Sequence, residues 1–192
     1  MRTLSSRLLT VADVTASVPP DHRRAAVAVV LHAARAGPEV LLMERVQDER
    51  DPWSGQVSLP GGHEEDGDPD LVATAVRETR EELGIDLGSA TLGGAFGPVR
   101  ARVRGRLLQT TIVPVVFVPN RRPAVELGPE AAAAFWLPLR QAAAGELDGI
   151  HVLGGEGPRR ELPCWNWEGR VVWGLTHLIL GDLLSRAGRA LT

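Results

Sequence analysis

Three apolar, β-branched runs constrain this chain more than any other feature: RAAVAVVLHA (24–33), EVLLMERV (39–46) and TTIVPVVFV (110–118). The first two are separated by ARAGP, which is hairpin punctuation, and read as an antiparallel pair of strands. GQVSLPGG adds a short strand, with Val57 and Leu59 alternating ahead of a tight turn. LGGAFGPVRARVRGRLLQ and the third run predict further strands with a hairpin around Gly105, and AFWLPL another, followed by a helix at Leu139 to Ala144. The closing segment RVVWGLTHLILGDLLSRAG reads as a strand running into an amphipathic helix. At the other end LSSRLLTVADV forms a short helix ended by Pro19-Pro20, because proline donates no hydrogen bond and restrains the residue before it. Strands alternating with two main helices predict an α/β or α+β sandwich with a mixed β-sheet. With 192 residues and 44% hydrophobic content the chain can bury one good core. The expectation is therefore a single domain over 1–192, with 1–22 as an N-terminal helical extension.

Between the strands lies LPGGHEEDGDPDLVATAVRETREELGI (59–85). Asp68 is suited to an N-cap, Pro69 to the first helical position and Gly84 to the position just past the end, which predicts a helix from about Pro69 to Leu83. Val72, Val76, Thr79 and Leu83 would form the core stripe. Glu78, Glu81 and Glu82, at i, i+3 and i+4, would share an arc beside it. The like-charged pair Glu78/Glu82 costs roughly 0.2–0.5 kcal/mol on a bare helix. A solvated charged face is one reading. A cation held by hard oxygen ligands is the other, and Mg²⁺ or Mn²⁺, which keep several waters and complete their shell with substrate phosphates, suit it.

The formal charge of −3 excludes a generally basic nucleic-acid binder. No apolar run is long and uninterrupted enough to span a bilayer, so no membrane role is expected. The lone cysteine, Cys164, cannot form an intramolecular disulfide, and the N-terminus lacks a secretory pattern; both suggest a reduced, cytoplasmic protein.

RETREELGI, Arg77 to Ile85, resembles the second half of the Nudix box, G-x5-E-x7-R-E-U-x-E-E-x-G-U with U aliphatic, except that Thr79 stands at the first U. In the first half Asp68 takes the place of the first glutamate after Gly62, and eight residues rather than seven separate it from Arg77. The resemblance implies a Nudix α/β/α sandwich and hydrolysis of a nucleoside diphosphate linked to another group. It further implies that Glu78, Glu81 and Glu82 bind the divalent metals, Mg²⁺ or Mn²⁺, and that Arg77 holds the acidic cluster in place. Gly61 and Gly62 would let the backbone approach metal or phosphate. One of these carboxylates, or a glutamate on a distant loop, would activate water.

The segment before the box, LLMERVQDERDPWSGQVSLPGG, is similar to the added signature of coenzyme A pyrophosphatases, L-L-T-x-R-[SA]-x3-R-x3-G-x3-F-P-G-G. Leu41, Leu42, Arg45, Arg50, Gly55 and Pro60-Gly61-Gly62 match. Met43, Val46 and Leu59 depart from it, and four residues rather than three lie between Arg50 and Gly55. The extra residue in the box and the closing VVWGLTHLIL also resemble that subgroup. The implied substrate is coenzyme A or acyl-coenzyme A, with Arg45 and Arg50 binding phosphate. ADP-ribose and nucleotide sugars are the alternatives, a non-catalytic binding module another, and a homodimer is left open.

Glu130 reads equally as a solvated loop residue or a site residue, and Glu126 as surface. His63 reads as a solvated loop residue, His177 as a partly buried helix residue and Cys164 as structural. Trp136, Trp165, Trp167 and Trp173 read as core or wall, while Trp53 stands in an exposed turn. Arginines 100, 102, 104 and 106 read as a solvated edge strand or as phosphate ligands of one parity.

Overall fold

The computed structural model describes residues 8–48, 53–103, 106–154 and 159–187. The two apolar runs around the predicted hairpin become β1 (Arg23–Ala34) and β2 (Gly37–Arg45), paired antiparallel from Leu31↔Val40 to Ala34↔Gly37. The third run lies in β7 (Arg106–Val118), which runs parallel to β1 from Arg23↔Thr110 to Val30↔Phe117. A parallel pair at the centre of a sheet is buried on both faces, which is why these runs are nearly continuous rather than alternating. Ala26, Ala28, Val30, Leu41 and Met43 enter one apolar cluster, and Val29, Leu31, Val40 and Leu42 enter the other.

Each central strand changes partner along its length. The first half of β1, Ala25–Val27, pairs antiparallel with β4 (Gly61–His63), whereas its second half pairs with β2. β3 (Val57–Ser58) continues outward on β2. On β7 the first half pairs with β6 (Val99–Val103) and the second with β5 (Thr91–Ala95). β8 (Ala131–Pro138) pairs with β2. One sheet of mixed direction results, split along β1 between β2 and β4.

α2 (Leu71–Leu83), the helix of the acidic segment, covers one face, and α4 (Gly174–Ala187) covers the other. α1 (Val11–Ala16) is capped by Thr10, whose hydroxyl accepts the Asp13 N–H at 3.1 Å, and stops ahead of Pro19; it starts later than expected, since Leu8 and Leu9 precede it and Leu9 is bridged to Ala95 instead. Its Val14 is inserted in the α2-side cluster. α3 (Leu139–Ala143) follows β8, as the sequence predicts. Among the described residues no helix is long and apolar enough to cross a membrane.

Two expectations for α2 are corrected. Its N-cap is Asp70, not Asp68, with the Asp70 carboxylate accepting the Ala73 N–H at 2.8 Å. Asp68 is drawn away by an ion pair described below. The helix therefore starts two positions later, and its buried face carries Leu71, Thr74, Ala75, Thr79, Glu82 and Leu83, with Val72 and Val76 half-buried at the edge of it. Thr79 satisfies its buried hydroxyl on the Ala75 carbonyl at 2.7 Å, so a threonine replaces the aliphatic residue at no orphaned polar atom.

A small antiparallel sheet, β9 (Asp148–Leu153), β10 (Arg160–Trp167) and β11 (Arg170–Trp173), was not expected beyond its last strand. Trp167 pairs with Arg170 across a two-residue turn in which Glu168 (φ 48°) and Gly169 (φ 80°) are both left-handed. That geometry suits a type I′ hairpin, whose usual signal is Asn-Gly or Asp-Gly. Glu-Gly hides it. Arg100 and Arg102 on β6 are exposed, in keeping with the solvated-edge reading, and residues 104–105 fall outside the described residues.

Because glutamate tolerates a left-handed backbone poorly, Glu168→Asn is expected to raise stability by about 0.5–1 kcal/mol. The exposed Arg170–Glu168 pair at 3.7 Å that it removes contributes little. Chemical denaturation that finds the variant less stable than the parent would contradict this account of the turn.

Candidate metal and substrate site

Arg77 organises the site. Its Nε and Nη2 donate to the two oxygens of Asp68, each at 3.0 Å, and Nη2 also donates to the His63 carbonyl at 2.9 Å. Nη1 reaches Glu78 Oε1 at 3.0 Å and Glu81 Oε2 at 3.2 Å. The five N–H donors of a guanidinium thus find acceptors on the loop before α2, on the end of β4 and on α2 itself. Asp68 is held from further sides: Oδ2 accepts the Glu65 N–H and the Thr74 hydroxyl, both at 3.0 Å, and the side chain is only 6% exposed. The Arg77 guanidinium lowers the Asp68 carboxyl to a pKa of about 2 and raises its own.

The three glutamates of α2 separate. Glu82 is covered, its side chain 5% exposed, and Oε2 accepts the Gly61 N–H at 2.9 Å. Glu78, 16% exposed, lies against Gly62, while Glu81, 59% exposed, leans back along the helix to Arg77. The glycine pair is required for two separate reasons. Gly61 has φ 149° and a Cβ there would strike the Ala26 carbonyl; a Cβ on Gly62 would occupy the place of the Glu78 carboxylate. Burial, before any other cause, pushes Glu82 up to about 8, with the nearby Glu78 and Glu130 charges adding to it and Gly61 and Arg45 opposing. Burial likewise raises Glu78, against Arg77.

Arg45, at the end of β2, brings its Nη1 to 3.6 Å from Glu82 Oε1 and its Nη2 to 3.5 Å from Glu130 Oε2. Glu130 stands on the segment between β7 and β8, far from the box in sequence, and its charge is felt at both Glu78 and Glu82. Glu126 turns its side chain to solvent, but its N–H binds the Leu83 carbonyl at 2.9 Å. The backbone of this segment, including Gly128, is a part of the site that sequence reasoning missed, since glycines in a loop between strands carry no local signal for a helix lying across it.

Among the described residues no three acidic, histidine or cysteine side chains are gathered into a closed ligand cluster. The donor set still fits a divalent cation. On one flank of α2 the Glu78 charge is felt at Glu82, burial pushes Glu82 up to about 8, and the Arg45 guanidinium lies between Glu82 and Glu130. Such all-oxygen donors, short of a full shell, suit a hard cation that keeps waters and takes substrate oxygens.

Arg50 falls outside the described residues. Trp53 is 37% exposed, as expected of a turn. His63 is half-buried rather than solvated: it stands on β4 with Nδ1 enclosed, and burial lowers its pKa. The His177 ring lies 4.6 Å from that of Trp165, and burial lowers its pKa. Cys164 is buried and its thiol pushed up by burial, the opposite of an activated nucleophile. Trp136 and Trp165 belong to the core.

Because folding depresses the Asp68 pKa, the carboxylate stabilises the fold above about pH 4, and the contribution is lost as pH falls towards 2. The shift from 3.8 to about 2 corresponds to about 2 kcal/mol. Asp68→Asn should therefore lower stability by about that amount at pH 7 and by much less at pH 2. Equal urea midpoints for parent and variant at pH 7 would remove Asp68 as the anchor of Arg77.

A NUDIX domain profile matches residues 22–152. An uncharacterized Nudix hydrolase NudL of Shigella flexneri serotype 5b is 32% identical over 172 residues, which span 88% of this chain and 85% of the relative. A MutT/nudix family protein from Enterococcus faecalis superposes with a TM-score of 0.56 at 16% identity, covering 97% of this chain and 72% of that one. The NUDIX domain of Shewanella oneidensis NrtR complexed with ADP ribose superposes with a TM-score of 0.50 at 19% identity, covering 71% and 88% respectively. The profile and the curated relative carry the assignment, the superpositions the fold: this chain belongs to the Nudix hydrolase family.

Proposed function

We propose that this Nudix hydrolase cleaves the diphosphate of coenzyme A or acyl-coenzyme A, releasing 4′-phosphopantetheine, or its acylated form, and adenosine 3′,5′-bisphosphate. Nudix hydrolases act on nucleoside diphosphate derivatives and generally need divalent metal ions. The finer assignment is supported by one observation above all: Arg45, the arginine of the pre-box signature, lies against Glu82 and Glu130 at the flank of the box helix. In that place its planar guanidinium can pair with a substrate phosphate as the carboxylates take up a cation.

In this reading Glu78 and Glu82, with Glu81 and Glu130 beside them, hold Mg²⁺ or Mn²⁺. A dication held there would supply charge neutralisation for a diphosphate and acidify a water, the chemistry of metal-assisted hydrolysis. The chain's own contribution is orientation. The Gly61 N–H fixes one oxygen of Glu82, Arg77 fixes Glu78 and Glu81, and the missing side chain of Gly62 leaves room for the Glu78 carboxylate. Arg50 would take a second substrate phosphate. We treat residues 1–192 as one such unit working in the cytoplasm, with small nucleotides rather than nucleic acid or membrane as its partners; a homodimer is compatible with the reading. ADP-ribose or a nucleotide sugar is the second reading, favoured by the ADP-ribose complex of the Shewanella neighbour. A binding module without catalysis fits less well, because the box carboxylates are all present.

Metal dependence has a pH signature. Folded Glu82 keeps its proton to about pH 8, whereas the unfolded carboxyl releases it near its ordinary value of 4.5. Between those limits the folded state binds more protons, so the Tm in EDTA should fall as pH rises from about 5 to 8, through this group. Millimolar Mg²⁺ or Mn²⁺ should raise the Tm, more at pH 8 than at pH 6. Glu82→Gln should abolish turnover, flatten that limb and weaken the response to metal. Wild-type turnover in the variant would rule out this metal site.

The substrate is tested by comparing kcat/KM for coenzyme A, dephospho-coenzyme A, ADP-ribose, NADH and UDP-glucose with Mg²⁺ or Mn²⁺, identifying products by mass. Loss of one phosphate–arginine contact costs roughly 1.5–3 kcal/mol, so dephospho-coenzyme A should be at least about tenfold poorer than coenzyme A. ADP-ribose or UDP-glucose at the head of the series would overturn the coenzyme A reading and leave Nudix chemistry standing.

A further inference from the structure

We infer that Gly128 is a positioning residue: the backbone of residues 126–130 clamps the last turn of the box helix and so sets where Glu130 stands over the carboxylates. The last carbonyls of a helix have no partner within it. On α2 Gly84 forms the left-handed cap, φ 66°, and returns its N–H to the Arg80 carbonyl at 2.9 Å. The Glu82 carbonyl instead accepts the Gly128 N–H at 2.8 Å, and the Leu83 carbonyl accepts the Glu126 N–H at 2.9 Å. The same segment is fastened to the sheet, because the Glu130 carbonyl accepts the N–H of Val46 at 3.0 Å. Val46 is the neighbour of Arg45. A stretch without helix or strand thus joins the box helix to the end of β2.

The approach leaves no room for a side chain. A Cβ at 128 would collide with the carbonyl oxygen of Glu81 and lie 3.0 Å from the Glu81 carbonyl carbon and 3.2 Å from Glu82 Cα. These are backbone atoms of the turn that carries Glu81 and Glu82, and they cannot rotate away. An alanine there must lift the segment or shift that turn. Gly84 meets the segment in the same way, since a Cβ on it would lie 2.7 Å from Glu126 Cβ. Two residues past Gly128, the Glu130 carboxylate contacts Arg45 at 3.5 Å and is felt at Glu78 and Glu82, so lifting the segment moves a charge over the site. Displacements near 1 Å are enough to lower turnover about a hundredfold.

The inference rests on the proposed function to the extent that Glu130 serves the reaction. The test is a double-mutant cycle on the full chain with Mg²⁺ and the best substrate, measuring kcat, KM and Tm for wild type, Gly128→Ala, Glu130→Gln and the double variant. Gly128→Ala should lower kcat at least about tenfold with KM changed less than about threefold, and the double variant should be no worse than Glu130→Gln within about twofold. Losses that multiply would make Gly128 merely structural and overturn the clamp. Impaired Glu130→Gln beside fully active Gly128→Ala would overturn the clamp alone, whereas wild-type turnover in Glu130→Gln would remove the role of Glu130 and the clamp with it. A measurement independent of how the variants fold is amide exchange in the metal-free wild type. The Glu126 and Gly128 amides should exchange as slowly as the last turn of α2, and exchange as fast as that of exposed loop amides would overturn the clamp.

Discussion

The ion pair between Arg77 and Asp68 is the contact on which the acidic region depends. Without it, carboxylates from a loop and a helix would be left to repel one another in a partly covered place. With it, a single cation faces acceptors on three pieces of chain, and each is fixed relative to the others. The arrangement is asymmetric: Arg77 serves Asp68, Glu78 and Glu81, while Glu82 is left to the Gly61 N–H and to Arg45. The least compensated carboxylate is also the most buried. The acidic region is thus held together by one arginine and met at its buried end by a second.

What the sheet adds is a place for this to happen. β1 gives its first half to β4 and its second to β2, so the ladder parts beside Pro60-Gly61-Gly62. The Gly61 N–H is aimed at Glu82 where the strands diverge. The apolar clusters on both faces make that split rigid, since neither β2 nor β4 can shift without disturbing a buried layer.

Much of this was legible in the chain. The apolar runs gave the central strands because burial on two faces leaves a strong signal, and the spacing of Glu78, Glu81 and Glu82 marked one flank of a helix. The helix start was misplaced because Asp68 and Asp70 are both competent caps, and only the folded loop brings Asp68 to Arg77. Three glutamates on one arc could not be sorted by sequence either. Which one is buried depends on β4 and on Arg45 from β2, elements distant along the chain. The β9–β11 sheet was hidden by a Glu-Gly turn, and the contact of the 126–130 backbone with α2 by the absence of any pattern in a loop.

The parallel pairing of β1 with β7 has a consequence for how the molecule comes into being. His22, at the entry to β1, bonds Thr111 at 2.7 Å across 89 positions of sequence. The box helix is therefore synthesised well before the strand that completes the platform beneath it. Closing so long a loop is entropically costly and slows folding, and until β7 arrives one edge of β1 exposes unpaired N–H and C=O groups on an apolar strand. The box helix, local and well capped, can form early; its platform cannot. The vulnerable interval for aggregation is thus the passage from the end of the box to Val118, and lower temperature or chaperone binding would act on the unpaired edge of β1 rather than on the box itself.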